Sequence, residues 1–225
     1  MSTAAQPYPL PAGTEWASHT DHAEHAEHAK DALRSAIRAA RRTRTERRRR
    51  EAAHALTDAL MTFPPLQDAR CVAVYASRPG EPDTSPLLER LAARGVRILL
   101  PVLGAGLQRD WAPYAGPEDL HQRAPGRPPE PGTPHLGPQA LAEAEVIVAP
   151  ALAVDTDGAR LGQGGGWYDR ALEHADPQAP VIAVVYEGEV YDAATRPLPH
   201  QAHDRRVDAV VTPDGWRWLR SRDGA

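Results

Sequence analysis

The sequence has one cysteine, one lysine and no long apolar run in its 225 residues. Cys71 alone cannot form an internal disulfide, and its position at the start of an apolar stretch suits a buried thiol in a reducing compartment. No stretch approaches the ~20 apolar residues that span a bilayer. The first residues also lack the basic start and apolar segment of a secretion signal. We therefore expect a cytoplasmic protein without a membrane partner.

Lysine is almost absent, since Lys30 is the only one among 26 Lys and Arg residues. The excess of arginine, together with 23 prolines, indicates a biased composition in which a single Arg or Pro carries little information. A lysine ammonium is a compact, mobile charge that the planar guanidinium of arginine does not reproduce. Lys30 is therefore a candidate functional residue, although chance retention explains a lone lysine equally well.

The length and the 41% hydrophobic content allow one α/β domain of about 200 residues. Residues 1–20 contain Pro, Gly, Ser and Thr without periodicity, so we expect a disordered tail there. Residues 21–225 are predicted to form a single domain, and we expect the chain to be a monomer.

A histidine repeat follows the tail, with His22, His25 and His28 at a spacing of three residues. Three histidines suggest a metal site. However, this spacing drifts around a helix of about 3.6 residues per turn, and no cysteine or fixed carboxylate completes a tetrahedral set. The solvated start of a helix is the favoured interpretation.

The residues from Lys30 to about Leu60 strongly favour a helix. Lys30, Arg34 and Arg41 lie within about 40° of one another around such a helix, so their charges can converge on one target. The arginine run 47–50 covers every face of the helix instead and is predicted to be solvated.

Beyond Pro65, short apolar segments alternate with helical ones at the spacing of parallel βαβ units. Asp110–Tyr114 is predicted to be an edge strand, and the Pro- and Gly-rich residues 104–138 around it to be a pocket wall or lid. The predicted fold class is α/β: a three-layer Rossmann-like domain with a mainly parallel sheet, helices on both faces and ligands at the carboxyl ends of the strands. The predicted core strands are Val72–Tyr75, Val96–Leu100, Val146–Ala149, Val181–Val185 and Ala209–Val211, and the helices between them are Ser85–Arg94 and Gly166–His174.

The most specific segment is the glycine-rich stretch from Asp155 to Arg170, with glycines at 162, 164, 165 and 166 before a predicted helix. Such a loop can turn backbone N–H groups inward beside a helix start, which favours a polyphosphate ligand. It is neither a Walker loop nor the usual dinucleotide fingerprint. Glycines that only permit a tight turn are the alternative, and the attached Arg160, Tyr168 and Asp169 favour a binding role.

The residues Arg160-Leu-Gly-Gln-Gly-Gly-Gly-Trp-Tyr-Asp169 resemble the signature of the 5-formyltetrahydrofolate cyclo-ligases, also called methenyltetrahydrofolate synthetases. That signature reads roughly Arg-Leu-Gly-x-Gly-x-Gly-Tyr-Tyr-Asp. The resemblance extends from Lys30 to Thr212. Its further landmarks, in chain order, are Lys30 and Arg34 with Arg41, the segment Gly80–Thr84, Pro101, the pair Glu130-Pro131, and the segment Pro199–Asp204.

The resemblance implies ATP and Mg²⁺ as cofactors. It assigns the phosphates to cations of the first helix and to the glycine-rich loop, and the metal to two carboxylates. The implied metal ligands are Asp169 and Asp204. The implied ATP-binding residues are Lys30, Arg34, Arg41, Arg160, Leu161, Gly162, Gln163, Gly164, Gly165, Gly166, Trp167 and Tyr168.

The resemblance also implies a reduced folate as substrate. Glu81 corresponds to an acidic residue that accepts hydrogen bonds from the pterin edge, and Trp111, Trp167 and Tyr168 to aromatic contacts of a flat ligand. For Trp111, ordinary packing under a loop remains the alternative.

The chain departs from the family pattern at three positions. Gln163 and Gly165 stand where some members have basic residues, and Gln201 replaces a common acidic residue. Arg205 or Arg206 can compensate in holding the phosphate tail.

In the implied reaction the N5-formyl oxygen attacks the γ-phosphate of ATP, and N10 then closes a five-membered ring. The products are 5,10-methenyltetrahydrofolate, ADP and phosphate. A relative that keeps the ATP loop but binds another small molecule, or does not catalyse a reaction, is the alternative. A nucleic-acid partner is not expected, because the arginine run has no interleaved aromatic residues.

Overall fold

The computed structural model describes residues 19–103, 109–200 and 204–219, with side chains described from residue 26 onward. Of the predicted tail, residues 1–18 lie outside this range, and residues 19 and 20 already belong to the first helix. The α-helices are α1 (His19–Arg42), α2 (Glu46–Met61), α3 (Pro64–Gln67), α4 (Ser85–Ala93) and α5 (Trp167–Ala171). The strands are β1 (Cys71–Val74), β2 (Arg97–Leu103), β3 (Arg109–Pro113), β4 (Leu120–His121), β5 (Glu130–Pro131), β6 (Val146–Pro150), β7 (Ala153–Asp155), β8 (Arg160–Leu161), β9 (Val181–Val184), β10 (Val190–Tyr191), β11 (Ala209–Thr212) and β12 (Gly215–Trp218).

The central sheet has seven strands in the order β12-β11-β9-β6-β1-β2-β3. The pairs from β11 to β2 are parallel, and the two edge strands β3 and β12 are antiparallel to their neighbours. In the middle of the sheet Val72 lies opposite Val146 on one side and Ile98 on the other. The predicted fold class, including the edge strand near Asp110, is confirmed.

Strands are added to the sheet in opposite directions from the neighbouring pair β1 and β6. It passes from β1 outward to β2 through α4, and from β6 outward to β9, in the opposite direction, through α5. Right-handed crossovers in opposite directions place α4 and α5 on opposite faces. The carboxyl ends of β1 and β6 therefore flank the crevice where ligands of this fold class bind.

Both faces of the sheet are covered, since every residue of β1 and β9 is buried. Helix α2 packs against α4, β11 and β12, and α4 packs against β2. The 3₁₀ helix Pro138–Glu143 packs against β3 and against the 3₁₀ helix Leu172–His174 that continues α5.

Helix α1 packs against a second, three-stranded sheet with the order β10-β7-β8. Leu33 and Ile37 of α1 are buried in a cluster with Leu152, Leu161 and Tyr191. Because β8 runs directly into the glycine-rich loop, this packing fixes α1 beside that loop.

The sequence predicted one continuous helix to about Leu60, and the structure divides it. Helix α1 ends at Arg42, and α2 begins after Thr45, whose hydroxyl accepts a hydrogen bond from the backbone N–H of Arg48 at 3.3 Å. A threonine N-cap of this kind starts a new helix even where propensity favours continuation. The three-stranded sheet was not predicted, because strands of two or three residues show no periodicity.

No helix in the described ranges is long and apolar enough to cross a membrane. The side chains of His22 and His25 lie outside the description. Among the side chains that are described, no group of three or more His, Cys, Asp or Glu residues could hold a metal ion. Arg47 and Arg50 pair only with neighbouring glutamates on the exposed surface of α2, as predicted for a solvated run.

Candidate active site

The glycine-rich loop joins β8 to α5 and approaches α1 closely. Gly164 has φ +107°, a conformation that side chains other than glycine rarely adopt. A Cβ atom at Gly164 would lie 3.6 Å from the guanidinium carbon of Arg34. Glycine is therefore needed at this position for its left-handed backbone conformation, whereas the distance to α1 would accommodate a Cβ atom.

A cavity of about 290 Å³, here called the α1–loop cavity, lies between α1 and the loop. Lys30 and Arg34 line it from α1, and both side chains are more than nine-tenths buried. Arg34 Nε donates to the carbonyl oxygen of Gly162 at 3.1 Å, while its Nη1 pairs with Glu27 and Asp31. The other side is formed by Arg160, Leu161, Gly162, Gly164, Gly165, Gly166, Asp169, Arg170 and Asp204.

The two predicted metal carboxylates both line the α1–loop cavity. Asp204 accepts from Lys30 Nζ at 2.7 Å, and Asp169 accepts from Arg160 Nη2 at 2.7 Å. Their side chains remain 18% and 23% exposed, respectively. Two accessible carboxylates at one cavity suit Mg²⁺, which binds few protein oxygens and completes its shell with phosphate and water.

A second cavity of about 440 Å³, here called the aromatic cavity, opens at the carboxyl ends of β1 and β6. Its walls include Tyr75, Trp167 and Tyr168. The Tyr168 hydroxyl and Trp167 Nε1 are buried, and neither has a hydrogen-bond partner in the described part of the chain. Burial raises the pKa of Tyr168 above its ordinary value, so the hydroxyl stays protonated. The cavity thus has flat, largely apolar walls, and two buried donors belong to the residues that form them.

Glu81 lines the aromatic cavity at the end of the loop that follows β1. Its Oε1 accepts from Arg78 Nη2 at 2.9 Å and from Gln163 Nε2 at 2.9 Å. Its Oε2 accepts from the backbone N–H of Arg78 at 3.0 Å. A carboxylate has about four lone-pair positions, so Oε2 retains capacity for a ligand donor.

The glycine-rich loop forms a common wall of the two cavities. Gly162, Gly165 and Gly166 line both, as do the side chains of Arg160 and Asp169. A ligand in the α1–loop cavity and a ligand in the aromatic cavity would therefore meet across this loop.

Of the predicted ATP ligands, Gln163, Trp167 and Tyr168 line the aromatic cavity and not the α1–loop cavity, and Arg41 lines neither. It is buried, and its guanidinium donates to both carboxylate oxygens of Glu189, at 2.8 and 2.7 Å, and to the carbonyl oxygen of Ala151. Burial alone would lower the pKa of Arg41, but the hydrogen bonds and charge of Glu189 raise it overall. Arg41 shares an angular position with Lys30, but the helical rise separates them by roughly 16 Å along the axis. Arg41 thus stabilises the fold and does not line the cavity.

We expect Arg41→Met to destabilise the protein by about 3–5 kcal/mol, because it leaves the buried carboxylate of Glu189 without its partner. Thermal unfolding followed by circular dichroism measures the effect. Arg47→Met is the matched control, since Arg47 is exposed in α2, and its expected change is within about 0.5 kcal/mol. Equal melting temperatures for the two variants would contradict a structural role of Arg41.

Trp111 is fully buried and is not among the residues that line the aromatic cavity, so this geometry does not support the predicted direct substrate contact. Its ring packs edge-on against Trp167, with the ring centroids 5.4 Å apart, and against Tyr168. Trp111 therefore supports the two aromatic side chains that do face the cavity, in keeping with the packing alternative.

Several polar residues of the site were not predicted from the sequence. Arg38 lies on the same side of α1 as Arg34 and contacts Gln163. Its spacing of four residues from Arg34 is a signal that could have identified it. Arg78 stands three residues before Glu81 and pairs with it, whereas no local pattern brings Arg109 to the aromatic cavity. Glu130, a landmark of the family resemblance to which no role was assigned, lines the same cavity.

The mainly parallel α/β sheet, the basic cavity at a glycine-rich loop and the adjoining aromatic cavity define an α/β protein with two ligand cavities that share one wall. The profile of the 5-formyltetrahydrofolate cyclo-ligase family matches residues 26–213. The chain belongs to this family, as the resemblance in the sequence predicted.

Relatives of known identity agree with this assignment. The chain is 42% identical over 149 residues to the 5-formyltetrahydrofolate cyclo-ligase of Mycolicibacterium smegmatis, which covers 64% of this chain and 74% of the relative. It is 35% identical over 178 residues to the enzyme of the same name from Escherichia coli K12, covering 76% and 93%. The solution structure of Aquifex aeolicus 5,10-methenyltetrahydrofolate synthetase superposes with a TM-score of 0.72 at 28% identity, over 87% of this chain and 95% of that one.

Proposed function

We propose that this chain converts 5-formyltetrahydrofolate to 5,10-methenyltetrahydrofolate at the expense of ATP, releasing ADP and phosphate. Membership of the cyclo-ligase family supports this reaction. The observation that carries it is the shared wall: the α1–loop cavity and the aromatic cavity meet at Gly162, Gly165 and Gly166. Phosphoryl transfer from ATP to a folate requires that the two substrates meet in this way.

The α1–loop cavity is the proposed site of the ATP phosphates. Lys30 supplies a buried point charge, Arg34 a buried guanidinium beside Gly162, and Arg160 a third cation from the opposite wall. Three cations around a cavity of this size can neutralise much of a triphosphate. The glycine backbone provides close approach without side chains.

Asp169 and Asp204 are the residues that would hold Mg²⁺ with the phosphates. When bound, the metal neutralises charge that develops on the phosphoryl oxygens. In the protein alone, Lys30 and Arg160 balance the two carboxylates and keep them at the cavity wall.

The aromatic cavity is the proposed folate site. Trp167 and Tyr168 provide a surface on which a pterin ring can stack, and Glu81 faces the same space with a carboxylate that accepts from ring N–H groups. The apolar walls would shield the reacting formyl group from part of the surrounding water. This shielding matters because water competes with N10 for the activated carbon.

Two bonds between heavy atoms form and two break in the proposed reaction. The formyl oxygen attacks the γ-phosphorus while the bond to ADP breaks. N10 then attacks the formyl carbon while phosphate leaves, and the proton of N10 passes to that phosphate. The chain contributes cations and positioning, and no side chain becomes covalently modified. Cys71 is not a candidate nucleophile. Burial raises the pKa of its thiol, which lies at the amino end of β1, whereas the site lies at the carboxyl ends of the strands.

The test is to mix the protein with 5-formyltetrahydrofolate and MgATP and follow absorbance near the band of the methenyl product. An ATP-dependent rise is expected, and reactions without ATP or without folate serve as controls. ATP binding without product would favour the alternative, a relative with another small-molecule substrate or without catalysis.

We also propose that the chain acts in the cytoplasm as a monomer. A lone buried cysteine fits a reducing compartment. Sedimentation at micromolar concentration tests the oligomeric state, and a mass near 24.4 kDa is expected.

A further inference from the structure

A chain of hydrogen bonds crosses the site through the side chain of Gln163. On one side, Arg38 Nε donates to Gln163 Oε1 at 3.1 Å and Arg38 Nη2 donates to the Gln163 carbonyl oxygen at 2.7 Å. On the other side, Gln163 Nε2 donates to Glu81 Oε1 at 2.9 Å. The three residues come from α1, from the glycine-rich loop and from the loop after β1, so the contacts join three separate parts of the chain.

The chemistry of its neighbours gives the Gln163 amide one orientation. A guanidinium only donates and an ionised carboxylate only accepts, so the amide oxygen must face Arg38 and the amide nitrogen must face Glu81. A glutamate at position 163 would oppose the charge of Glu81. A lysine or arginine there would oppose the charge of Arg38, so a neutral amide fits both neighbours.

Gln163 also lies where the two cavities adjoin. Its neighbours Gly162 and Gly164 line the α1–loop cavity, whereas its own side chain lines the aromatic cavity. Any ligand that holds the loop backbone in place will therefore also hold the Gln163 side chain. Through Gln163 it will fix Oε1 of Glu81, while Oε2, which accepts from the backbone N–H of Arg78, keeps capacity for a further donor.

We propose that Gln163 is a positioning residue that couples nucleotide in the α1–loop cavity to the orientation of Glu81 in the aromatic cavity. This inference rests on the proposed function. Its consequence is reciprocal: bound nucleotide tightens the binding of the folate, and bound folate tightens the binding of the nucleotide by the same factor.

Titration calorimetry with 5-formyltetrahydrofolate tests the coupling, in the presence and absence of a non-hydrolysable ATP analogue with Mg²⁺. For the unchanged protein we expect the analogue to tighten folate binding about tenfold. Gln163→Met keeps the side-chain length but has no amide. The resemblance implied an ATP contact at Gln163, but Gln163 lines the aromatic cavity and not the α1–loop cavity. We therefore expect the variant to bind the analogue alone normally and to show less than about a twofold gain for folate.

Two further variants and one kinetic measurement make this result specific. Gln67→Met makes the same replacement on the exposed face of α3 and should retain the full gain. Arg38→Met removes the hydrogen bonds between α1 and Gln163 but keeps the bond from Gln163 to Glu81. We expect it to reduce the gain in folate affinity, because Gln163 is then held less firmly. Steady-state turnover of Gln163→Met should show a rise in KM for the folate of about tenfold, with a smaller change in kcat.

The failures of the two proposals are distinguishable. If the unchanged protein forms the methenyl product while Gln163→Met keeps the full gain, or while the unchanged protein shows no gain, only the coupling is overturned. If the unchanged protein forms no product, the proposed function fails, and the coupling fails with it.

Discussion

Replacing Lys30 by methionine is expected to lower kcat roughly 10²- to 10³-fold, the usual effect of removing one group that stabilises transition-state charge. Lys30 is more than nine-tenths buried, lines the α1–loop cavity and is the only lysine of the chain. Methionine matches its length and apolar stem but has no charge to offer the γ-phosphate. Steady-state kinetics with saturating folate and varied MgATP measure the loss.

Lys30→Arg is the informative companion variant. It restores the positive charge as a planar fork, which cannot occupy the position of a compact ammonium against Asp204. We expect an activity between those of Lys30→Met and the unchanged protein. A fully active Lys30→Met variant would remove Lys30 from the phosphate site and leave chance retention as the explanation for this lysine.

Replacing Asp204 by asparagine is expected to reduce turnover roughly 10²-fold or more, because metal assistance contributes several kcal/mol to phosphoryl transfer. Asparagine retains an oxygen that can accept from Lys30 Nζ, the contact that Asp204 makes at 2.7 Å. The affinity for Mg²⁺ should fall, and the buried ammonium of Lys30 loses its counter-ion, so the melting temperature of the variant is measured beside its turnover. Turnover measured against Mg²⁺ concentration should show a higher half-saturation point.

Asp214→Asn is the matched control, because Asp214 is exposed in the turn between β11 and β12. It should leave turnover and its dependence on Mg²⁺ unchanged. An Asp204→Asn variant with normal kcat and a normal Mg²⁺ requirement would contradict the assignment of Asp204 as a metal ligand.

Asp169→Asn is a less selective test of the same site. Arg160 is almost fully buried, with 3% of its side chain exposed, and Asp169 carries the charge that balances it. Removing that charge leaves a buried guanidinium without a counter-ion, which costs about 3–5 kcal/mol. We expect this variant to lose both activity and thermal stability, and the dependence of turnover on Mg²⁺ concentration is what separates metal binding from folding at either carboxylate.

The contrast between Arg34 and Arg41 shows how far helical spacing predicts a site. Both share a side of α1 with Lys30, yet Arg34 contacts Gly162 and Arg41 contacts Glu189. Angular position follows from the sequence once a helix is assumed. The partner at each height along the helix depends on which strand or loop packs there.

The aromatic residues show a similar division. Tryptophan and tyrosine at 111, 167 and 168 were expected to contact a flat ligand together, and the structure does bring the three rings together. Only tertiary packing decided that Trp111 lies behind the other two, because burial depends on the layers that cover a strand and not on the residue type.

The sequence by itself determined the parallel α/β sheet, the glycine-rich loop and the family, because apolar periodicity and glycine spacing are local properties written along the chain. Tertiary structure decided which polar side chains meet. Lys30 pairs with Asp204 and Arg160 with Asp169, and the neutral amide of Gln163 contacts both Arg38 and Glu81. These pairs are formed by residues far apart in sequence or on different elements. Their geometry is fixed by the packing of α1 against the small sheet, which no local pattern specifies.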